Sequence, residues 1–260
     1  MNYAFDTATA ISELEPGSWS TFLDGNWSIN VVPNGGYSTV PMVKAMLDAT
    51  GREHPLSVTT HFYKAAEQDA AATVTAEVLR AGRSAANASA ALLQEGRERS
   101  RSVGVLGTLP PLDAASEPGP PPPALPPLDE CIRRDPGAQG FPIPLGEMVE
   151  MRIDRDFGEA KTAEFHGWLR FTDDRPVDEL ALGLFADALP PAVLIMNPKS
   201  GWVPTLEITV HIRRRPVGHL IRATVSSHDI ADNMLIEDVM LWDESDALVA
   251  QARQLAMLLR

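Results

Sequence analysis

Hydrophobic residues recur along the chain in two stretches of helical spacing and in a series of shorter runs. Between Val40 and Leu47 they follow one another at intervals of three and four, which predicts a helix over Tyr37–Ala49. A similar apolar stretch predicts a second helix over Val177–Leu189. After the first helix come runs rich in β-branched or alternating residues, which predict a meander of about four strands, and the second half repeats this order. The predicted strands are Leu56–Tyr63, Thr73–Leu79, Ala85–Gln94 and Ser102–Leu109, then Leu206–Ile212, Ile221–Ser226, Met234–Trp242 and Ala247–Leu259.

A proline-rich segment separates the two series. Nine of the 22 prolines lie between Pro110 and Pro127. Proline lacks a backbone N–H and favours extended polyproline geometry, so such a segment cannot belong to the interior of a sheet. The sequence therefore predicts an N-terminal half (residues 1–109), a linker (residues 110–140) and a C-terminal half (residues 141–260).

The elements of the two halves follow the same order at a nearly constant offset. His61 and His211 lie 150 residues apart (211 − 61), each within a similar strand, and Gln94 and Trp242 lie 148 apart (242 − 94). These anchors favour a tandem duplication of one α+β unit; the alternative is an accidental match of two unrelated halves. The alanine-rich segment Ala85–Gln94 and the last predicted strand contain many helix formers, and we predict strands there because their places in the repeat match.

Composition and charge exclude several classes of partner. The net charge of −13 disfavours a nucleic acid or an anionic membrane, and the only notable basic run is Arg213–Arg215. The single cysteine, Cys131, cannot form an intrachain disulfide, and the N-terminal residues lack a signal-peptide pattern. The apolar run Leu180–Met196 is interrupted by Asp187 and Pro190-Pro191, so it is too short and too broken to span a bilayer. We expect a cytoplasmic protein.

Motifs for metals and common cofactors do not occur. The six histidines lack metal-ligand spacing, and we find no phosphate loop, dinucleotide fingerprint or Gly-x-Ser-x-Gly elbow. The sequence therefore predicts neither a metal nor a cofactor. His61 and His211 occupy equivalent places in the repeat, which favours a structural role because one site needs only one base.

Asp187 is the leading candidate for a chemical role. It is the only charged residue between Ala181 and Met196. A carboxylate in such surroundings either lies on an exposed stripe or is held in a buried site by hydrogen bonds, because unpaired burial is costly. An exposed helix position, or a cap for the turn at Pro190-Pro191, is the structural alternative.

Five segments, taken in order, carry a resemblance to a known family. They are Asn34-Gly35-Gly36-Tyr37, Ser57–Lys64, Leu79–Ser84 with Gln94, Thr205–Ile212 and Leu248–Gln254. Together they resemble the thioesterase-like, double-hotdog proteins related to type II acyl-CoA thioesterases. The resemblance covers nearly the whole chain except the linker. It implies an α+β fold, a tandem hotdog in which each half is a long helix wrapped by an antiparallel sheet. The two sheets would join edge to edge, which removes an exposed edge from each half.

The resemblance also implies a site at the seam between the halves, where the family binds acyl-CoA and hydrolyses the thioester. Asp187 matches the family's catalytic aspartate, Thr205 its threonine or serine, and Gln254 its glutamine. The family has an Asp-His pair where this chain has Glu207-Ile208, so Thr209 is the alternative to Thr205.

Asn34, Gly35 and Gly36 form the second part of the candidate site. Free N–H groups at the start of a helix could bind the substrate and polarise the thioester carbonyl, although an ordinary turn with an Asn cap is equally compatible with the sequence. The resulting hypothesis is a cytoplasmic enzyme of lipid metabolism that hydrolyses a fatty or other acyl-CoA with a water activated at Asp187, Thr205 and Gln254. The alternatives are a non-catalytic acyl-CoA-binding hotdog protein and a hotdog dehydratase or hydratase. Acyl chain length, head group and oligomeric state stay open, and a homo-oligomer is compatible with the remaining sheet edges.

Overall fold

One antiparallel sheet of 13 strands runs through both halves of the chain in the computed structural model, which describes residues 2–112, 114, 119–133, 140–158, 160–198 and 201–259. The first half contains α1 (Ala4–Ala8), β1 (Ser12–Glu15), β2 (Ser18–Leu23), β3 (Ser28–Ile29), β4 (Val32–Pro33), α2 (Gly35–Thr50), β5 (His54–Phe62), β6 (Ala70–Ala81), β7 (Ala85–Gln94) and β8 (Arg97–Gly107). The linker contributes β9 (Ile132–Arg133). The second half contains α3 (Leu145–Met148), β10 (Val149–Ile153), β11 (Glu164–Phe171), α4 (Glu179–Ala188), α5 (Val193–Met196), β12 (Thr205–Ile212), β13 (Ile221–Ala231), β14 (Met234–Trp242) and β15 (Leu248–Met257).

The strand order shows the duplication directly. It is β1-β2-β6-β7-β8-β5-β12-β15-β14-β13-β11-β10-β9, and β3 pairs with β4 in a separate ribbon. Outward from the β5–β12 contact, five strands follow in equivalent order on each side, and the short strand β9 adds a sixth on the side of β12. At this contact Thr59 lies opposite Thr209, and their hydroxyl oxygens are 2.9 Å apart. The offset of that pair is 150 (209 − 59), the same as that of His61 and His211.

Two features of the sheet differ from the sequence prediction. The first half was expected to form a helix and then a meander, but β5 pairs with β8 instead of with the next strand, β6. The strands β1, β2, β10 and β11 were not predicted, because they are short or precede the periodic segments of each half. They extend both sides of the sheet symmetrically.

The alanine-rich strand β7 was predicted correctly, and the structure explains its composition. Ala86, Ala88 and Ala90 are almost completely buried, and β7 lies against α2. Small side chains let the helix lie close to the sheet, so packing determines this segment rather than helix propensity.

The two central helices begin and end where capping residues require. Asn34 caps α2 by accepting a hydrogen bond from the Tyr37 N–H at 2.9 Å, and Asp178 caps α4 by accepting from the Ala181 N–H at 2.8 Å. Helix α4 ends at Ala188, one residue earlier than predicted, because Pro190 and Pro191 follow.

The apolar stretch Glu179–Met196 is long and apolar enough to cross a membrane by length and composition, with a mean hydropathy of 1.6. However, 67% of it is buried inside the fold, where it forms α4, the proline turn and α5. Core helices of soluble proteins meet the same criteria, so the stretch is weak evidence for a membrane span.

The linker packs against the second half where it is described. Indole N–H groups of Trp242 and Trp168 donate to the carbonyls of Pro120 and Pro126, each at 3.0 Å. The linker also contributes the two-residue strand β9, which pairs with β10 and which the proline content did not predict. Residues 113, 115–118 and 134–139 of the predicted linker lie outside the described residues, and the proposed boundaries of the two halves stay a prediction.

The crossing of α2 and α4 depends on glycine at position 36. A Cβ atom on Gly36 would lie 2.6 Å from the carbonyl oxygen of Gly183 and 2.9 Å from the Cα of Leu184. Both are backbone atoms that cannot move aside without separating the helices. A Cβ atom on Gly183, in contrast, would meet nothing within 4 Å.

We therefore expect opposite effects from two alanine substitutions at this crossing. Gly36→Ala should lower the free energy of unfolding by about 1–3 kcal/mol through overpacking. Gly183→Ala should raise it by up to about 1 kcal/mol because alanine favours the helix. Urea denaturation of both variants measures the difference, and a Gly36→Ala protein as stable as wild type would contradict the close approach.

Candidate active site

A cavity of about 310 Å³ opens at the seam, where the start of α2, the end of α4 and the start of β12 meet. Its wall is largely apolar and includes Ile29, Val32, Phe62, Leu189, Leu194 and Trp202. Among these side chains lie all three candidates from the second half, Asp187, Thr205 and Gln254, together with Asn34 and Gly35 from the first. The fold thus brings together residues that are distant in sequence.

The Asp187 carboxylate joins the two halves. One oxygen, Oδ2, accepts hydrogen bonds from the Asn34 side-chain amide at 2.8 Å and from the Gly36 N–H at 2.9 Å. The Asn34 amide also donates to the Asp187 backbone carbonyl at 2.9 Å. A Cβ atom on Gly35 would lie 3.0 Å from Oδ2, so the turn reaches this carboxylate because both glycines lack side chains.

Thr205 and Gln254 extend the contacts from Asp187 into the sheet. The Thr205 hydroxyl lies 3.3 Å from Oδ1 of Asp187 and 2.8 Å from Oε1 of Gln254. Thr205 begins β12, and Gln254 lies on the neighbouring strand β15 with only 6% of its surface exposed. The three side chains therefore form one connected chain at the cavity wall.

Thr209, the alternative to Thr205, lies elsewhere on β12. Its hydroxyl donates to Glu207 at 2.7 Å and contacts Thr59 across the seam. Neither Thr209 nor Glu207 lines the cavity. Glu207-Ile208, which replace the Asp-His pair of the family, therefore lie beside the cavity and not in its wall. Of the two candidate threonines, only Thr205 contacts Asp187 and Gln254.

Burial raises the pKa of Asp187 from its ordinary 3.8 to about 6. Removal of the carboxylate from water is the largest cause, and hydrogen bonds from Gly36, Thr205, Asn34 and Gly35 oppose it by stabilising the charged form. Asp187 keeps some surface toward the cavity, but protein atoms surround its carboxylate. A carboxyl group with this pKa is ionised at neutral pH and can still accept a proton, as a general base requires.

The N–H groups at the start of α2 are not free, in contrast to the expectation from sequence. Gly36 donates to Asp187, and Asn34 uses its side chain on the same residue and as the helix cap. Helix α4 offers no substitute, because its first residue, Glu179, lies roughly 12 Å along the helix from Asp187 at 1.5 Å per residue. Substrate or oxyanion contacts from Asn34, Gly35 and Gly36 stay a prediction, and their observed contact is with the carboxylate.

Sequence reasoning missed one residue of this network, Glu237. It lies behind Gln254 on β14 with 1% of its surface exposed, and its Oε1 accepts from the Gln254 amide at 2.6 Å. Burial raises the pKa of Glu237 to about 8. The alternation of β14 could have revealed it, because Glu237 shares a strand face with Leu235 and Val239, both buried.

The remaining chemistry-bearing residues lie apart from the cavity. All six histidines belong to the described residues and none lines the wall; His61 and His211 are exposed on β5 and β12. Within the described ranges, no group of three or more His, Cys, Asp or Glu residues could hold a metal ion.

Solved structures with the same architecture define the class of fold. A candidate thioesterase II from Thermobifida fusca is 29% identical, covers 99% of this chain and 98% of its own, and superposes with a TM-score of 0.90. A conserved protein with a hot dog fold from Alicyclobacillus acidocaldarius is 22% identical, covers 100% of this chain and 99% of its own, and has a TM-score of 0.88. The chain is a double hotdog protein.

The family follows from the sequence comparison. The model of the acyl-CoA thioesterase C-terminal domain matches residues 109–258, and that of the N-terminal domain matches residues 23–108. The chain therefore belongs to the acyl-CoA thioesterase family. An uncharacterized protein of Mycobacterium tuberculosis is 26% identical in an alignment 290 positions long, which covers 99% of this chain and 99% of its own.

The raised pKa of Asp187 predicts a pH-dependent gain in stability from Asp187→Asn. In the folded state this carboxyl group binds its proton more tightly than when unfolded, so its contribution to stability is full below pH 3.8 and is lost as the pH rises to about 6. Asparagine stays neutral: its amide oxygen can accept the hydrogen bonds from Asn34 and Gly36, and its NH₂ group can donate to the Thr205 oxygen.

We expect the melting temperature of Asp187→Asn to match wild type at pH 4 and to exceed it by several degrees at pH 7. Thermal denaturation at both pH values measures this, with Asp238→Asn as the control at a more exposed carboxylate on β14. Equal melting temperatures of Asp187→Asn and wild type at pH 7 would contradict the cost of the buried charge.

Proposed function

We propose that this protein hydrolyses an acyl-CoA thioester with a water molecule activated by Asp187. The observation that carries the proposal is the convergence of Asp187, Thr205 and Gln254 at one wall of the seam cavity, in a chain of the acyl-CoA thioesterase family. Their hydrogen bonds link a carboxylate with a raised pKa to two groups that can fix a water.

The reaction needs no covalent intermediate. Asp187 accepts a proton as the water oxygen attacks the carbonyl carbon, which forms a tetrahedral intermediate with a negative oxygen. The intermediate collapses by breaking the C–S bond, and the thiolate takes the proton back from Asp187. Because the pKa of a thiol is about 8.5, the leaving group needs little assistance. The products are a carboxylic acid and the free thiol.

Asn34 and Gly36 hold the carboxylate in place during this reaction. Each donates to Oδ2, which leaves Oδ1, near Thr205, as the oxygen for the water. The amide of Gln254 and the hydroxyl of Thr205 then orient that water. The contact of Asn34, Gly35 and Gly36 with the carbonyl oxygen, expected from the sequence, is not part of this proposal, because the Gly36 N–H and the Asn34 amide donate to Asp187 and the Asn34 N–H donates to the Trp27 carbonyl.

The cavity wall supports an acyl-CoA as the substrate. Its apolar side chains suit an acyl chain, since burial of each CH₂ contributes about 0.8 kcal/mol. Two basic residues, Lys64 and Arg99, also line it, in a chain whose net charge is −13. Lys64 is exposed, so its ammonium group is available to the phosphates of the CoA moiety.

A non-catalytic acyl-CoA-binding module is the main alternative, and a dehydratase is less well supported. The binding module gains support only from Glu207-Ile208, which lie outside the cavity wall. A dehydratase would need a paired Asp and His, and no histidine lines the cavity. Measurements of thiol release, acyl-CoA binding and enoyl-CoA consumption separate these three activities.

Substitutions at Asp187 and Thr205 should reduce hydrolysis without unfolding the chain. We expect Asp187→Asn to lower kcat by about 10²–10⁴-fold, because it removes the base but preserves the hydrogen-bond acceptor. Thr205→Val, which keeps shape and loses the hydroxyl, should lower kcat by about 10–100-fold. Release of free thiol from a panel of acyl-CoA esters measures both.

Thr209→Val serves as the matched control on the same strand and should leave kcat within about twofold of wild type. If wild type and Asp187→Asn release thiol equally, Asp187 is not the base. Saturable binding of acyl-CoA with no thiol release would instead identify the binding module, and consumption of an enoyl-CoA without thiol release would identify a hydratase.

Lys64 should distinguish CoA thioesters from simpler ones. We expect Lys64→Glu to raise KM for an acyl-CoA by about tenfold, because it places a negative charge near the phosphates, and to leave KM for the matching N-acetylcysteamine thioester unchanged. Arg83→Glu, on the turn between β6 and β7, is the control with the same charge change. Equal effects of Lys64→Glu on both substrates would show that Lys64 does not contact the phosphates.

A further inference from the structure

Behind Gln254 lies a buried carboxylate that the proposed reaction does not use. Glu237 does not line the cavity and contacts the site only through neighbours. Its Oε1 accepts from the Gln254 amide at 2.6 Å, and its Oε2 accepts from the Ala192 N–H at 2.5 Å. Ala192 follows the proline turn that ends α4, so Glu237 connects the base-bearing helix to the strand of Gln254.

The hydrogen bonds of Thr205 depend on the orientation of the Gln254 amide. The Thr205 hydroxyl has one proton and two acceptors in reach, Gln254 Oε1 at 2.8 Å and Asp187 Oδ1 at 3.3 Å. An ionised Glu237 only accepts, so the amide nitrogen of Gln254 must face it and the amide oxygen must face Thr205. The hydroxyl proton of Thr205 then points to Gln254 and away from Asp187.

A neutral Glu237 reverses the direction of the hydrogen bonds from Glu237 through Gln254 to Thr205. Its carboxyl O–H can donate to the oxygen of Gln254 once the amide has turned over, and the amide NH₂ then donates to the Thr205 oxygen. Thr205 becomes free to donate its proton to Asp187. Its other oxygen continues to accept from Ala192, so the reversal needs only a rotation of one amide and one hydroxyl.

We propose that Glu237 is a positioning residue that acts in its neutral form, where its proton sets the Gln254 amide so that Thr205 donates to Asp187. This inference rests on the proposed function, because its consequence for catalysis is an Asp187 carboxylate that is hydrogen-bonded and oriented by Thr205. Ionisation of Glu237 turns the Gln254 amide so that its oxygen accepts from Thr205, and the hydrogen bond from Thr205 to Asp187 is lost.

The electrostatic surroundings of Glu237 are compatible with a neutral resting form. The pKa of Glu237 is raised to about 8, with burial as the largest cause; repulsion from the carboxylates of Asp187 on α4 and Asp238 on β14 acts in the same direction, and the hydrogen bonds from Ala192 and Gln254 oppose it. The adjacent strands present Ser227 on β13 and Gln254 on β15 opposite it, and neither titrates. Arg253, the neighbour of Gln254 on β15, is exposed and forms its ion pair with Asp238 at 2.7 Å. No basic residue in the described part of the chain forms an ion pair with Glu237.

The pH profile of kcat tests the proposal on four proteins. We expect wild type to lose activity above about pH 8, approaching tenfold per pH unit, as Glu237 ionises. Glu237→Gln should stay within about threefold of wild type at pH 7 and lose this alkaline decline, because its amide donates permanently to Gln254. Glu237→Leu, which has no donor, should lower kcat about tenfold at unchanged KM. Asp238→Asn is the matched control and should retain the decline.

A second measurement needs no substrate. The side-chain ¹⁵N–¹H resonances of Gln254, assigned through Gln254→Asn, should change with pH in a single step near pH 8 in wild type and should not titrate in Glu237→Gln. An alkaline decline that persists in Glu237→Gln, or a Gln254 amide that ignores pH in wild type, overturns the proposal. If no acyl-CoA is hydrolysed at any pH, the proposed function fails, and the resonance of Gln254 still decides whether Glu237 controls the amide.

Discussion

The pairing of β5 with β12 is the contact on which the rest of the molecule depends. Without it, each half would expose the backbone groups of an open sheet edge beside the helix that carries half of the site. With it, the two sheets become one, and α2 and α4 are brought together at a crossing close enough to require Gly36. The Asp187 carboxylate then receives two hydrogen bonds from the opposite half, so the seam creates the fold and the site at the same time.

The symmetry of the sheet is nearly complete, but the polar residues of the candidate site from the second half have no polar equivalents in the first half. With Thr59 and Thr209 as the equivalent pair, Pro55 corresponds to Thr205. The strand registers place Gly104 at the position of Gln254 and Ala88 at that of Glu237. The helix caps, Asn34 and Asp178, similarly place Val43 at the position of Asp187. None of these four replacements can hold a proton, and Met46 packs against Gly104 where a side chain would otherwise point.

Sequence patterns predicted the features of the fold that depend on residues close together in the chain. The helices, the seam strands and the repeat offset of 150 could be predicted because periodicity and spacing depend on neighbouring residues. The pairing of β5 with β8 could not, since strand order is set by contacts distant in sequence. At the site, the resemblance suggested Asp187, Thr205 and Gln254, and the structure brings them together, but their roles stay predictions. The fully engaged N–H of Gly36 and the burial of Glu237 depend on three-dimensional packing that spacing alone does not fix.

The unequal ends of the seam have a consequence for how this chain can vary. In a symmetric dimer of single hotdogs, each residue occurs at both ends of the seam. A substitution that improves packing at one end therefore also changes the site at the other end. In a tandem fusion, the two ends are built from different positions of one sequence and can change independently. Pro55, Ala88 and Gly104 can therefore be selected for a tight core while Thr205, Glu237 and Gln254 are selected for the hydrogen bonds that lead to Asp187. The duplication separates two selective pressures that a symmetric ancestor would have had to satisfy with the same residues.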